Sequence, residues 1–130
     1  MALIKIYTEQ QNFEELRTHV ARTIKLVSAA ALNVPEVPTS PSSVETVLAE
    51  GLDLIGIDYI CEIIAVERPN EQDIANRFIE GLNAVYPEKL FSVYFVHIKM
   101  NGMTNTPRDS EKIPPLSMEK AILQAKQLNA

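Results

Sequence analysis

The stretch ICEIIAVERPNEQDIANRFIEGLNAVYPEKLFSVYFVHIK, Ile60 to Lys99, decides the fold, because it reads as strand, helix, strand. Ile60 to Val66 is an apolar, β-branched run interrupted only by Glu62, too short for a buried helix and suited to a strand. Arg68 and Pro69 end it. Asn70 stands at a cap position with Asp73 three residues on, and Ile74, Phe78, Leu82 and Val85 follow at the spacings of one helical face. Pro87 stops that helix, and Leu90 to Met100 crowds Phe91, Val93, Tyr94, Phe95, Val96 and Ile98 as a mostly buried strand does.

Working outward, the amino-terminal third repeats the pattern. Leu3 to Thr8 alternates Ile4 and Ile6 with Lys5 and Tyr7, the period-two signature of a half-buried strand. Asn12 and Glu15 form a second cap signature, and Phe13, Leu16, Val20, Ile24 and Val27 line a helix running to about Leu32. Asn12, Leu16, Val20, Ile24 and Val27 each precede Asn70, Ile74, Phe78, Leu82 and Val85 by 58 positions, which points to an internal repeat of about 2–50 and 57–100 within one domain spanning 1–130. The first unit carries an inserted loop, Asn33 to Ser43, punctuated by Pro35, Pro38 and Pro41, before a strand from Val44 to Leu48. Leu52 to Ile55 reads as a short strand or a turn. The extension 101–130 begins as a polar, proline-containing loop and ends in a helix, Leu116 to Leu128, capped by Ser117. Its stripe of Met118, Ala121, Ile122 and Ala125 is thin, which suggests packing on a neighbouring subunit.

Two such units predict an α+β fold: a four-stranded sheet with two helices on one face, plus a short C-terminal helix. With strands apolar on both sides and helices for one side only, the bare face calls for other copies of the chain. A length of 130 residues, 46% of them apolar and 22% charged, suits a globular domain. The net charge of −5 argues against nucleic acid or an anionic membrane as partner. No apolar run is long enough to span a bilayer and no signal core opens the chain, so a cytoplasmic protein is expected. Cys61 is the single cysteine and falls in a buried strand, which leaves no disulfide or zinc framework. There is no phosphate loop, nucleophile elbow or histidine pair at metal spacing, so neither a cofactor nor a metal is expected.

Tandem βαβ units of this size, with a strand beginning at residue 2, resemble the tautomerase superfamily over about residues 2–107. In its macrophage migration inhibitory factor and malonate semialdehyde decarboxylase branches, trimers form a sheet-lined barrel and an amino-terminal proline is the catalytic group. VERPNEQ, Val66 to Gln72, is similar to the decarboxylase branch's arginine–proline–arginine segment, with Arg68 at the first arginine and Asn70 where the second stands. VYFVHIKMNG is similar to the inhibitory-factor strand in which a valine–tyrosine pair precedes an active-site asparagine. Tyr94 matches that tyrosine, while Val96 occupies the asparagine position. The chain opens MALIKIY, so Ala2 stands where the family has proline. A free α-amino group titrates near about 7.7–8.0, and a dry pocket disfavours its charged form, which makes it a usable base at neutral pH. Ala2 offers a primary amine once Met1 is removed and an amide if Met1 stays.

The resemblance implies a homotrimer that binds a small carboxylate-bearing molecule between subunits. Its activity would be keto–enol isomerisation of a small 2-oxo acid, weak or lost because Ala2 replaces the proline. Arg68 would bind the substrate carboxylate; the Ala2 amine and Tyr94 would be the catalytic groups. Read without the resemblance, Arg68 is a surface residue at a strand end and Tyr94 a packed aromatic. Glu62 reads as one half of an inter-subunit salt bridge, His97 and Lys99 as a solvated edge, and His19 as a solvated helix residue. The alternatives are a non-catalytic small-ligand-binding or structural oligomeric α+β module, and a ferredoxin-like regulatory dimer.

Overall fold

The computed structural model describes residues 2–51, 53–97 and 114–129. Four strands, β1 (Ala2–Thr8), β2 (Val44–Glu50), β3 (Tyr59–Ala65) and β4 (Phe91–His97), form one sheet in the order β2-β1-β3-β4. The central pair β1–β3 is antiparallel, and each outer pair, β1–β2 and β3–β4, is parallel. A parallel pair needs a crossover. Helix α1, residues 13–32, supplies the first and α2 (Glu71–Val85) the second. This is the α+β architecture expected from the two amphipathic patterns.

The sheet has two unlike faces. Ala2, Ile4, Ile6 and Thr8 of β1 and Tyr59, Cys61, Ile63 and Ala65 of β3 point towards the helices and are buried. Leu16, Val20, Ile24 and Val27 of α1 and Ile74, Phe78 and Leu82 of α2 meet them in one apolar core. The burial of Cys61 pushes its thiol up to about 12, so it behaves as a core residue and not as a nucleophile. Facing away from the helices are Leu3, Lys5 and Tyr7, Val47, Ile60, Glu62 and Ile64, and Tyr94 and Val96, all half-buried or exposed.

Neither asparagine caps its helix as the sequence pattern suggests. Asn12 lies in a 3₁₀ turn, Gln10–Asn12, and donates its side-chain amide to Thr8 Oγ1 at 3.0 Å. Glu15 is turned instead to Lys89, with Nζ at 2.7 Å from Oε1. Asn70 adopts a left-handed backbone (φ 58°, ψ 46°), which asparagine tolerates, and makes no side-chain cap bond. The carboxylate of Glu71 reaches back from the first turn of α2 to accept from the Arg68 N–H at 3.3 Å, the part assigned by pattern to Asp73. Within α1, Leu16–Val20 forms a π-helical turn between Phe13–Glu15 and Ala21–Leu32. Among the described residues, 53–58 holds no strand: Ile55 and Gly56 take positive φ in a turn.

The C-terminal helix α3 (Met118–Leu128) is capped as expected, Ser117 Oγ accepting from the Lys120 N–H at 3.2 Å. Its packing differs from expectation, for it covers its own chain. Ala121 and Ala125 are fully buried against the helix layer, and Asn129 hydrogen-bonds Tyr86 Oη at 2.9 Å. The thin stripe suffices because alanines allow close approach. Gly81 of α2 is the matching small residue, since a Cβ there would meet Val27 Cγ1 at 2.6 Å and Met118 Sδ at 2.9 Å. Alanine outranks glycine by about 1 kcal/mol in a helix interior. Gly81→Ala is nevertheless expected to lower stability by about 1–3 kcal/mol, because Val27 sits in a packed core and has little room to yield. Urea denaturation of the two proteins measures the sign.

Candidate functional site

The end of the sheet where β1 begins and β3 and β4 finish gathers most of the residues in question. Ala2 pairs with Val44 on one side and Ala65 on the other, and Ala65 pairs with His97, so all four share one rung. Ala2 is thus paired on both sides within the sheet and has a buried side chain. Beyond this rung the chain leaves β3 through Val66 and Arg68 and enters α2 at Glu71.

Arg68 is not a surface residue. Its side chain is buried at 5% exposure, and it donates Nε–H to Leu32 O at 2.9 Å, an Nη1–H to Val66 O at 2.8 Å and an Nη2–H to Thr39 Oγ1 at 2.9 Å. Leu32 ends α1, where the last carbonyls have no partner within the helix and carry partial negative charge. Arg77 Nη2 approaches another of them, Ala30 O, at 3.4 Å. Burial pulls the Arg68 pKa below its ordinary value and Glu71 opposes that shift, but an arginine remains charged at neutral pH. Three of its five N–H groups are therefore committed within the chain. One N–H on each of Nη1 and Nη2 lacks an acceptor among the described residues.

Beside it, Glu71 bridges two elements: Oε2 accepts from the Arg68 N–H, and Oε1 lies 2.8 Å from His97 Nε2. His97 is exposed on the edge strand β4, as expected, and is also paired with a carboxylate and stacked on Phe95 at 6.3 Å between ring centroids. Lys99 lies outside the described residues. The Glu71–His97 pair was not legible, because it depends on the β3–β4 register. Once Ala65 is set opposite His97, the short link from β3 to α2 brings Glu71 within reach.

Tyr94 lies elsewhere, on the open face of the sheet. Its hydroxyl donates to Glu62 Oε2 at 2.8 Å, and Tyr7 donates to the same oxygen at 3.0 Å. Lys5, directly opposite Glu62 in the β1–β3 register, holds Nζ 5.3 Å from the Tyr7 ring centroid. Glu62 thus has two phenolic donors within its own chain, where the sequence suggested only a partner in another subunit. One chain consequently does not bring Tyr94 together with Arg68 and Ala2. Tyr94 faces away from the helices, while the Arg68 guanidinium lies beneath the end of α1. His19 is exposed on α1, as expected. Among the described residues, no three histidines, cysteines or carboxylates are grouped to hold a metal, and no helix is long and apolar enough to cross a membrane.

By sequence, no protein family and no curated protein matches the chain. By structure, it is similar in fold to several solved proteins. A malonate semialdehyde decarboxylase aligns at a TM-score of 0.56 and 12% identity, covering 84% of this chain and 95% of the other. N1, a member of the cis-3-chloroacrylic acid dehalogenase family, aligns at 0.53 and 14%, covering 98% of both chains. A fused wild-type 4-OT described as an asymmetric trimer aligns at 0.51 and 15%, covering 78% of this chain and 94% of that one. The chain has the fold of these proteins, the tautomerase fold.

Two outcomes follow from this geometry. Arg68→Met should destabilise the protein by about 3 kcal/mol, since Leu32 O and Thr39 Oγ1 lose charge-assisted donors in a buried setting. Arg68→Lys should recover part of that loss, and chemical denaturation measures both. The second outcome concerns Tyr94. Partial burial and the Glu62 carboxylate, which accepts its hydrogen bond, push its hydroxyl up from 10.0 to about 12. A phenol raised in this way favours the folded state below about pH 10, and that contribution is lost as the pH climbs through about 12. NMR titration of ring-labelled tyrosine should find the Tyr94 midpoint near about 12, falling towards 10 in Glu62→Gln.

Proposed function

We propose that this chain is a tautomerase-like protein of the cytoplasm that assembles as a homotrimer and binds a small carboxylate-bearing molecule, a 2-oxo acid, between subunits. Keto–enol isomerisation would be weak or lost. The observation that carries the reading is the position of Ala2: it begins a central strand of a tautomerase fold, on the rung shared with Ala65 and His97. A free amine there would sit at a sheet end beside Arg68, with α2 directing its amino-terminal turn to the same side. The open sheet face supports the trimer, because it exposes Val47 and Tyr94 and leaves Leu3, Ile60, Ile64 and Val96 half-covered. Tyr94 would then reach a shared pocket from a neighbouring copy. The two strand–helix–strand units are read as a pseudo-repeat within one domain.

In this mechanism the Ala2 amine removes a proton α to the carbonyl. The two unsatisfied N–H groups of Arg68 hold the carboxylate, and a neighbouring Tyr94 donates to the enol oxygen. Proline would present a secondary amine in a fixed direction; alanine presents a primary amine with rotational freedom, or an amide when Met1 remains.

The non-catalytic reading, a binding or structural module, is favoured by a specific observation: Arg68 and Tyr94 both already spend hydrogen bonds on partners within the chain. One experiment separates the two. With Met1 removed and the terminus verified by mass, Ala2→Pro should raise the enol–keto rate on phenylpyruvate by at least about tenfold, within the range of general-base assistance. Sedimentation should give three copies of both proteins. A correctly processed, trimeric proline variant that stays at the solvent rate would leave the non-catalytic module as the reading.

A further inference from the structure

On the far side of α1 from the sheet, α1 and α3 flank an open cavity of about 540 Å³ whose polar rim is exposed to solvent. Its walls are two ladders with three-residue spacing. Arg22 and Lys25 come from α1, and Gln124 and Gln127 face them from α3. Residues three apart share one side of a helix, so each ladder presents both its polar groups to the same space. Leu26, Leu128 and the buried Pro41 supply the apolar lining, and Leu26 continues into the small cluster of Ala30, Leu116 and Ala121 that holds α3 in place.

The charge of this cavity runs against that of the chain. The protein carries −5 overall, yet no carboxylate lines the cavity, and neither Arg22 nor Lys25 has an ion-pair partner among the described residues. Lys120 and Lys126 likewise have no ion-pair partner among the described residues, so what marks Arg22 and Lys25 is their convergence on one cavity without a carboxylate. Two unpaired cations beside two amides and an apolar floor match the usual make-up of a small-molecule site, in which apolar walls carry a few convergent polar groups. The combination selects for a ligand with one anionic end and an apolar body. The cations meet the anion, the glutamine amides add donors at its rim, and Leu26, Pro41 and Leu128 take the body out of water.

We propose that the α1–α3 cavity is a binding site for a small amphipathic carboxylate, distinct from the sheet-end site, with which it shares no lining residue. The position of α3 makes binding consequential for the fold. Half of the site is carried by the helix that covers α1 and α2, so an occupant bridging Arg22 and Lys25 to Gln124 and Gln127 clamps α3 onto the body of the protein.

Octanoate is a suitable probe, with octanamide as its neutral counterpart. In NMR titrations of the full chain, octanoate should shift the side-chain amides of Gln124 and Gln127 saturably. Octanamide should bind at least about tenfold more weakly, the loss expected for a charge-assisted contact. The double variant R22Q/K25Q changes two helix-surface residues and should keep its Tm without ligand while binding the two probes equally. Salt at ~0.5 M should weaken octanoate far more than octanamide. Equal affinity of the native protein for both probes, undiminished octanoate binding by R22Q/K25Q, or shifts confined to the open sheet face around Tyr94 would each overturn the proposal. Absence of any shift at Gln124 and Gln127 up to millimolar octanoate would do the same.

Discussion

The buried end of α1 is the constraint on which much of the chain's arrangement turns. Ala29, Ala30, Ala31 and Leu32 are packed out of water, and a helix that ends there leaves carbonyls that neither water nor its own turns can satisfy. Arg68 answers from the other half of the molecule, with Nε on Leu32 O and Nη2 on Thr39 Oγ1. Thr39 in turn anchors the proline-rich connection 33–43, its N–H donating to Asn33 Oδ1 and its hydroxyl lying 3.0 Å from Val37 O. One guanidinium therefore fixes the exit of α1, the path of the following loop and the link from β3 to α2. Hydrogen bonds from a charged donor in such a setting are each worth about 1.5–3 kcal/mol, which suffices to order a loop that has no core of its own.

The same end of the sheet carries Ala2, and the two facts are connected. For β1 to begin at residue 2 as a central strand, its first rung must be flanked on both sides, by Val44 and by Ala65. Val44 is delivered by the loop that Arg68 ties down, and Ala65 lies three residues before Arg68 itself. A first rung held on both sides in this way differs from a frayed strand end.

The elements themselves were legible because burial imposes periodicity. Ile4 and Ile6 alternate with Lys5 and Tyr7, and Ile74, Phe78 and Leu82 follow the helical repeat, so strand and helix could be assigned before any pairing was known. The relations between elements were not. Asn12 and Asn70 carry the composition of caps, but Asn12 is drawn to Thr8 and Asn70 takes a left-handed backbone, choices decided by the entry path of each helix. Arg68 and Leu32 stand 36 positions apart, and no local rule connects an arginine to a distant helix end. The opposite placement of Tyr94 and Arg68 depends on strand parity combined with the direction in which the chain leaves β3. Short motif resemblance carries no information about either.

The open face of the sheet shows what that parity does to function. Glu62 sits amid Ile60, Ile64, Val96 and Leu3, where a lone carboxylate would be costly once the face is covered. Tyr7 and Tyr94 lower that cost by donating to one oxygen, Oε2, and Lys5 stands directly opposite on the neighbouring strand. The other oxygen, Oε1, has no donor among the described residues. A covering surface that brings a donor to it satisfies the carboxylate completely, while a purely apolar surface leaves it stranded at a cost of about 1–3 kcal/mol or more. A surface that covered this face would therefore have to bring a donor to Glu62 or bear that cost.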